Sequence, residues 1–299
     1  MAVTATEAQH AQAVGLQALP PTEIVARLLE GQLHAAAQVA PAVPAIAAAA
    51  EAAARALKAG QRLAYAGAGS AGLMALADSL ELFGTFGIPP DRTPMLFAGG
   101  LAALIAMTGN VEDAAADGAR DVAAAALGPG DVAICVSASG TTPYTLAVAE
   151  AARARGATVV GIANVAGSAL LAGADIAVLL DTGPELVAGS TRLGAGTAEK
   201  VALNMLSTLV GIRLGHVHDG YMVNLVADNA KLRRRATRIV AALTGSDQAE
   251  AEAALAAAGG RVKPAVLLAA GAADLARAEA LLAESGDRLG PALATLAGG

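Results

Sequence analysis

The chain has 299 residues, a net charge of −6 at pH 7, and a composition that is 55% hydrophobic but only 2% aromatic. This length accommodates one large domain, or one large domain with a small appendage. So few aromatic side chains, and no basic stripe that contains them, argue against nucleic-acid binding. The single cysteine excludes an internal disulfide and any cysteine-rich metal site.

The N-terminal region contains no basic stretch followed by an apolar core, so we expect no signal peptide. The apolar segment 41–57 is interrupted by Glu51 and Arg55, which makes it too polar and too short to span a bilayer. We therefore expect a cytoplasmic protein that does not associate with membranes.

Short apolar runs alternate with helical segments in the central part of the chain. Strands are predicted at 62–66, 94–98, 131–136, 157–162 and 175–180. Helices are predicted at 71–83, 112–126, 143–155, 168–171, 197–214 and 228–243. Strands separated by helices are typical of a parallel sheet that is covered on both faces. We therefore predict an α/β fold with a five-stranded parallel sheet.

From Gly245 onward the pattern changes to short helical segments split by glycines. These helices are predicted at 247–258, 263–270, 274–284 and 288–296, with acidic or small residues at their starts. We predict an N-terminal arm with helices over 1–58, a central α/β domain over 59–244, and a small C-terminal helical domain over 245–299.

A glycine-rich loop, YAGAGSAG over 65–72, lies between the first predicted strand and a helix. Its candidate ligand-binding residues are Gly67, Gly69 and Ser70. Glycines let the backbone approach a ligand, and the first amides of the helix point at it. A dinucleotide site also carries GxGxxG, but it expects an acidic residue at the end of the next strand. That strand ends in FAGG over 97–100, so the pattern favours a phosphate over NAD.

A second loop, SASGTTP over 137–143, follows the third predicted strand. Its hydroxyls and glycine can bind one phosphate without a lysine, or simply form a helix-capping turn. The candidates are Ser137, Ser139, Gly140, Thr141 and Thr142. Because both loops follow strands of one parallel sheet, we favour a ligand site.

Two further segments leave alternatives open. The loop AGSTR over 188–192 offers Ser190 and Arg192, where the arginine either pairs with an anion or lies free on the surface. The basic run KLRRR over 231–235 lies in a predicted helix. We favour a solvated helix face for this run over an anion-binding role.

The succession strand–GxGSxG–helix and strand–SxSGxT–helix resembles the sugar isomerase (SIS) domain. Over nearly its whole length the chain is similar to N-acetylmuramic acid 6-phosphate etherases, most specifically over 188–236. The resemblance implies a three-layer αβα SIS fold, a phosphorylated amino sugar as substrate and a homodimer with shared active sites. It also implies that neither a metal nor another cofactor is needed.

The resemblance further implies a reaction, in which the D-lactyl ether at C3 is eliminated across C2–C3 and water then adds. The products are N-acetylglucosamine 6-phosphate and D-lactate. Glu81 matches the general acid and Glu112 the base that removes the C2 proton. The C1 aldehyde acidifies this proton, so a carboxylate whose pKa is raised by burial can abstract it. The ether oxygen leaves only when protonated, which requires a second, neutral carboxyl.

Two other functions stay open. The chain could be another SIS isomerase or lyase, for which Glu199 is the alternative base, or a non-catalytic sugar-phosphate sensor. Leu73 and Thr141 stand where the family usually has arginine, and Gly194 stands where it has lysine. These cations could pair with the phosphate or the lactyl carboxylate, so the sequence leaves the exact sugar phosphate open.

Overall fold

The structure is a computed structural model that describes residues 5–106 and 109–298. The chain forms two compact units. The first comprises Met1–Ser79 and Asp91–Ser207, and the second comprises Leu80–Pro90 and Thr208–Gly299. The sequence predicts domain boundaries after residues 58 and 244. These boundaries remain predictions.

The first unit contains the parallel sheet. Its strands are β1 (Leu63–Gly67), β2 (Met95–Phe97), β3 (Val132–Val136), β4 (Thr158–Ala163) and β5 (Ile176–Leu179). They pair in the order β2-β1-β3-β4-β5, and every pairing is parallel. This arrangement confirms the predicted α/β fold with a five-stranded parallel sheet.

Helices flank this sheet. They are α1 (Pro21–Ala37), α2 (Val43–Lys58), α3 (Gly69–Phe86), α4 (Gly100–Ile105), α5 (Ala115–Ala124), α6 (Pro143–Ala154), α7 (Ala169–Gly173) and α8 (Gly194–Arg213). The last turns of α3 and α8 belong to the second unit.

The central strands β1 and β3 are buried along their whole length. A strand that is covered on both faces has a continuous apolar run, and this is why the sequence locates both strands within one residue. Gly67 pairs in register with Val136, so the two strands end at the same level. The loops that follow them therefore start about 5 Å apart.

The N-terminal apolar segment supplies core helices to the first unit. By length and composition, Pro21–Lys58 could cross a bilayer. In the structure, a 3₁₀ turn at Ala40–Ala42 divides it into two helices. Helix α2 packs against β1, β3 and β5 and buries Ile46 and Ala49. Core packing therefore accounts for the hydrophobicity of α2, whereas α1 exposes Val25, Leu29 and Leu33.

One predicted helix differs from the observed structure. The segment 112–126 forms a 3₁₀ turn at Gly109–Asp113 followed by α5. The break lies at Ala114, whose ψ of 69° is outside the helical region. Glu112 therefore belongs to a separate turn ahead of the helix.

A buried polar cluster fixes α3 within the first unit. The hydroxyl of Tyr65 donates to Oδ2 of Asp78, and that of Ser207 donates to Oδ1, both at 2.8 Å. All three residues are buried. These hydrogen bonds join α3 to β1 and to α8, and the burial of Tyr65 beside Asp78 raises the pKa of the phenol.

The second unit is a helical bundle with one hairpin. It contains β6 (Val217–His218) and β7 (Tyr221–Met222), which pair antiparallel. Its helices are α9 (Ala230–Thr244), α10 (Gln248–Ala257), α11 (Val262–Ala269), α12 (Leu275–Glu284) and α13 (Leu289–Gly298). Residues 80–90 belong here because Nδ2 of Asn224 donates to the carbonyl of Phe86 at 2.9 Å.

One carboxyl group of the first unit is fully buried. Glu199, in α8, is 0% exposed, and neither of its oxygens has a hydrogen-bond partner in the described residues. Burial raises its pKa from 4.5 to about 8, with a further contribution from the negative charge of Glu185. Glu199 is therefore protonated in the folded protein at neutral pH.

This burial predicts a pH-dependent loss of stability. The unfolded chain releases the Glu199 proton near pH 4.5, whereas the folded chain retains it up to about pH 8. Between these values the free energy of unfolding falls by about 1.4 kcal/mol per pH unit. Glu199→Gln removes this effect, so its stability should exceed that of the wild type by an amount that grows with pH. Urea unfolding at about pH 5 and about pH 7.5 measures the difference, which we expect to grow by about 3 kcal/mol between them.

The matched control is Glu150→Gln, because Glu150 is an exposed carboxylate on α6. It should keep the wild-type pH dependence. If Glu199→Gln also kept it, Glu199 would be ionised in the folded protein.

Candidate active site

The first loop is built by close packing between β1 and α3. A Cβ placed on Gly67 would lie 2.8 Å from Cα of Gly72. One placed on Gly72 would lie 2.8 Å from a ring carbon of Phe97. No larger residue fits either position without moving the helix. The amides of the first turn of α3 therefore lie directly above the end of β1, where a helix N-terminus attracts anions.

Ser70 and Gly69 form the rim of this loop. Ser70 is partly exposed, and its hydroxyl makes no hydrogen bond to any residue in the described ranges. Gly69 has a φ of 54°, in the left-handed region that favours glycine. The sequence correctly placed both residues at the strand-to-helix junction. That they bind a ligand stays a prediction.

The carboxyl group of Glu112 lies against the first loop. A Cβ on Gly69 would be 2.5 Å from Oε1 of Glu112, so only glycine leaves room for the carboxyl group. Glu112 is partly buried, and this burial raises its pKa, with a smaller contribution from the charge of Asp113. The structure thus brings one predicted catalytic residue to one predicted binding loop.

The second loop is held in shape by its own hydroxyls. Oγ of Ser137 lies 2.8 Å from Oγ1 of Thr142 and accepts the amide of Gly140 at 3.1 Å. Oγ of Ser139 accepts from the amide of Thr141 at 3.2 Å and from its hydroxyl at 2.9 Å. Ser137 is buried, whereas Ser139 is only partly so and Thr141 is exposed. The outer hydroxyls are therefore the ones available to a ligand.

Gly140 fixes this loop against α7. Its φ is 64°, and its carbonyl accepts the amide of Leu170 at 2.9 Å. A Cβ on Gly140 would overlap the side chain of Ser168, whose buried hydroxyl has no partner among the described residues. Since no side chain fits there, only glycine allows this close contact between the loop and α7.

The third loop is held by the N-terminal segment. The amide of Gly189 donates to the carbonyl of Thr6 at 3.0 Å, and Glu7 lies beside the same glycine. Ser190 is partly buried. Arg192 is exposed, and its guanidinium makes no hydrogen bond or ion pair with the described residues. The described hydrogen bonds do not join this loop to the first two.

Glu81 lies on α3, eleven residues after Ser70, and its side chain is exposed. Eleven residues of an α-helix rise about 16 Å, which exceeds the length of a monosaccharide phosphate. The role of Glu81 as the general acid stays a prediction. Glu199 is also remote from solvent, because its carboxyl is entirely buried. Its role as an alternative base remains a prediction.

Sequence reasoning missed Glu185. Its two carboxylate oxygens accept the amides of Gly194 and Ala195 at 2.9 Å, so it caps the N-terminus of α8. The usual capping residue adjoins its helix, whereas Glu185 precedes α8 by nine residues. No local pattern reveals such a cap.

The comparisons with known proteins agree with this architecture. A model of the SIS domain family matches residues 33–164. N-acetylmuramic acid 6-phosphate etherases from Deinococcus radiodurans and Streptomyces avermitilis are 47% and 46% identical to the chain over 263 residues. These alignments cover 88% of this chain and 86% and 84% of the relatives.

A phosphoheptose isomerase from Francisella tularensis has a similar fold, with a TM-score of 0.52 and 22% sequence identity. The match covers 65% of this chain and 100% of the isomerase. Identity this low supports the fold alone, whereas the extent and level of identity to the etherases also establish descent. The chain belongs to the N-acetylmuramic acid 6-phosphate etherase family of SIS-domain proteins.

Proposed function

We propose that the protein is an N-acetylmuramic acid 6-phosphate etherase, a carbon–oxygen lyase that releases D-lactate from its substrate. The observation that carries the proposal is the carboxyl group of Glu112 beside Gly69 at a loop suited to phosphosugar binding. The relative from Deinococcus radiodurans, which bears this name, is 47% identical to the chain. The alternative of a sugar-phosphate sensor needs no carboxyl group with a raised pKa at this place.

The two loops are suited to hold the phosphate. The first turn of α3 offers backbone amides, and Ser70, Ser139 and Thr141 offer hydroxyls that face outward. Amides that point at one anion stabilise it without a cationic side chain. This explains how a chain with Leu73 and Thr141 in place of the family's arginines can still bind a phosphate.

Glu112 acts as the base on the open-chain sugar. Its carboxylate takes the proton from C2, and the electron pair moves toward the C1 aldehyde as an enolate. The enolate then expels the lactyl oxygen from C3, which leaves a C2–C3 double bond and D-lactate. Partial burial raises the pKa of Glu112, which makes the carboxylate a stronger base.

A second carboxyl completes the reaction. It gives a proton to the lactyl oxygen as the C3–O bond breaks, and it then takes a proton from the water that adds to C3. Glu112 exchanges the proton that it took from C2 with solvent while D-lactate leaves and water enters, and it then protonates C2. We assign this acid to Glu81, in agreement with the family resemblance.

We propose a homodimer with shared active sites, as the family resemblance implies. Two exposed apolar surfaces support a homodimer. Helix α1 exposes Val25, Leu29 and Leu33, by 57–63%. Helix α4 exposes Leu101 and Ile105, by 81% and 91%. Exposed apolar side chains at helical spacing are typical of a protein interface.

We place the reaction in the cytoplasm, in the recycling of peptidoglycan amino sugars. The substrate is a phosphate monoester, whose charge prevents it from crossing a bilayer unaided. Removal of the lactyl group gives a simpler amino-sugar phosphate, and such a product is consistent with a catabolic step.

Glu112→Gln should abolish turnover while leaving the fold intact. Glutamine has the same shape but cannot accept the C2 proton, so kcat for D-lactate release should fall about 10²–10⁴-fold. KM should change far less, because binding depends on the loop amides. Glu150→Gln is the matched control and should keep wild-type kcat. Lactate release by Glu112→Gln at the wild-type rate would contradict the assignment of the base.

Gly69→Ala tests the contact between the loop and the base. The methyl group would be 2.5 Å from Oε1 of Glu112, on a backbone whose φ of 54° disfavours alanine. We expect kcat/KM for lactate release to fall at least about tenfold, because displacement of a catalytic group by 1 Å can cost about 10²-fold.

The control is Gly31→Ala in α1, because a Cβ there meets nothing within 4 Å. Alanine favours helix over glycine, so this variant should be fully active and slightly more stable. Full activity of Gly69→Ala would show that catalysis does not depend on the contact between the first loop and Glu112.

A further inference from the structure

The second unit contains a cavity of about 930 Å³ that the proposed reaction does not use. It lies among α9, the turn before α11 and the start of α11. Four cationic residues line it: Arg233, Arg234, Arg261 and Lys263. Two acidic residues, Glu252 and Asp287, oppose them. The lining therefore has a net positive charge, in a chain whose net charge is −6.

A second cavity, of about 480 Å³, adjoins the first and shares Arg234, Thr237 and Glu252 with it. It adds Lys231 and Arg238 to the lining. The two cavities form one groove, which we call the cationic groove. Its positive charge is concentrated on one face of α9.

Four cations on α9 make no ion pair with any residue that the structure describes. In the described ranges, no hydrogen bond or ion pair involves the charged groups of Lys231, Arg233, Arg234 or Arg238. Like charges three or four residues apart on a helix repel each other. An anion from outside the chain would relieve this repulsion.

The start of α11 adds donors to the same groove. Gly259 and Gly260 have φ values of 63° and 83°, and they turn the chain into α11. The N-cap residue, Arg261, provides no side-chain cap, so the first amides of this helix are not capped by a side chain. Such amides are suited to a negatively charged ligand.

Lys263 lies in the lining of the groove and is only 3% exposed. Its Nζ donates to the carbonyl oxygen of Asp287 at 2.8 Å and to Oδ2 at 2.6 Å. Burial lowers the pKa of this ammonium group, and a nearby anion would oppose that shift. The charge of this lysine is therefore paired with that of Asp287, and the unpaired positive charge of the groove comes from the arginines of α9.

We propose that the cationic groove binds a small phosphorylated ligand, through the guanidinium groups of Arg233 and Arg234 and the amides of Val262 and Lys263 at the start of α11. Arg261 also lines the groove, but its guanidinium is paired with Glu279. Guanidinium groups match the oxygens of a phosphate in pairs, which favours phosphate over a single carboxylate. The volume exceeds that of phosphate alone and is suited to a small organic phosphate.

The groove is concave, and the residues described as lining it include no aromatic side chain. Stacking on nucleic-acid bases therefore has no platform there. The residues that line the cationic groove lie outside the phosphosugar loops. Ligand binding there therefore does not depend on whether the chain is an etherase.

Hydrogen–deuterium exchange of the full-length protein tests the proposal. The probes are inorganic phosphate and glucose 6-phosphate, each compared with chloride at equal ionic strength. Both should slow amide exchange in peptides from α9 and from the turn before α11. Arg233→Gln/Arg234→Gln should raise the half-saturating phosphate concentration for this protection about tenfold or more. Both arginines are exposed, and glutamine is a good helix former, so the fold should be retained.

The control variant is Lys58→Gln/Arg277→Gln, which removes two exposed charges that do not line the groove. It should keep wild-type protection. The proposal would be overturned if neither probe protected these peptides, or if both double variants lost protection equally. Protection by a DNA oligonucleotide but by neither small phosphate would also overturn it.

Discussion

The parallel pairing of β1 with β3 is the interaction on which the candidate site depends. Gly67 and Val136 end the two strands in register, so two loops of different chemistry leave the sheet side by side. The close contact between Gly67 and Gly72 then seats α3 directly on the strand. Only with the helix in this position do its first amides and the carboxyl group of Glu112 meet at Gly69.

Much of this architecture could be predicted because it depends on patterns of neighbouring residues in the sequence. Strands covered on both faces have continuous apolar runs, and glycine or serine clusters mark where they end. The turn that carries Glu112 was predicted as helix because Ala114, where the helix breaks, is a strong helix former. The hydrogen bond from Ser207 to Asp78 joins residues that are 129 positions apart in the sequence, so no local pattern predicts it.

We propose that the chain binds anions in two different ways. At the ends of β1 and β3, dipoles from amides and hydroxyls replace cations, which is consistent with Leu73 and Thr141 standing where arginine is usual. In the second unit, the charge on α9 faces a concave surface completed by Arg261. The run KLRRR was ambiguous in sequence because the wall that turns this face into a groove comes from residues far along the chain. The solvated face that the sequence favoured stays a prediction, and the anion site is our proposal for the same residues.

The central claim is that Glu112 removes the C2 proton at the loop formed by β1 and α3. The most direct measurement is the reaction of N-acetylmuramic acid 6-phosphate in D₂O, with the product analysed by proton NMR. Because the proton removed from C2 exchanges with solvent before it returns, the account predicts N-acetylglucosamine 6-phosphate that carries deuterium at C2. Product that is released with D-lactate but retains the original hydrogen at C2 would contradict it.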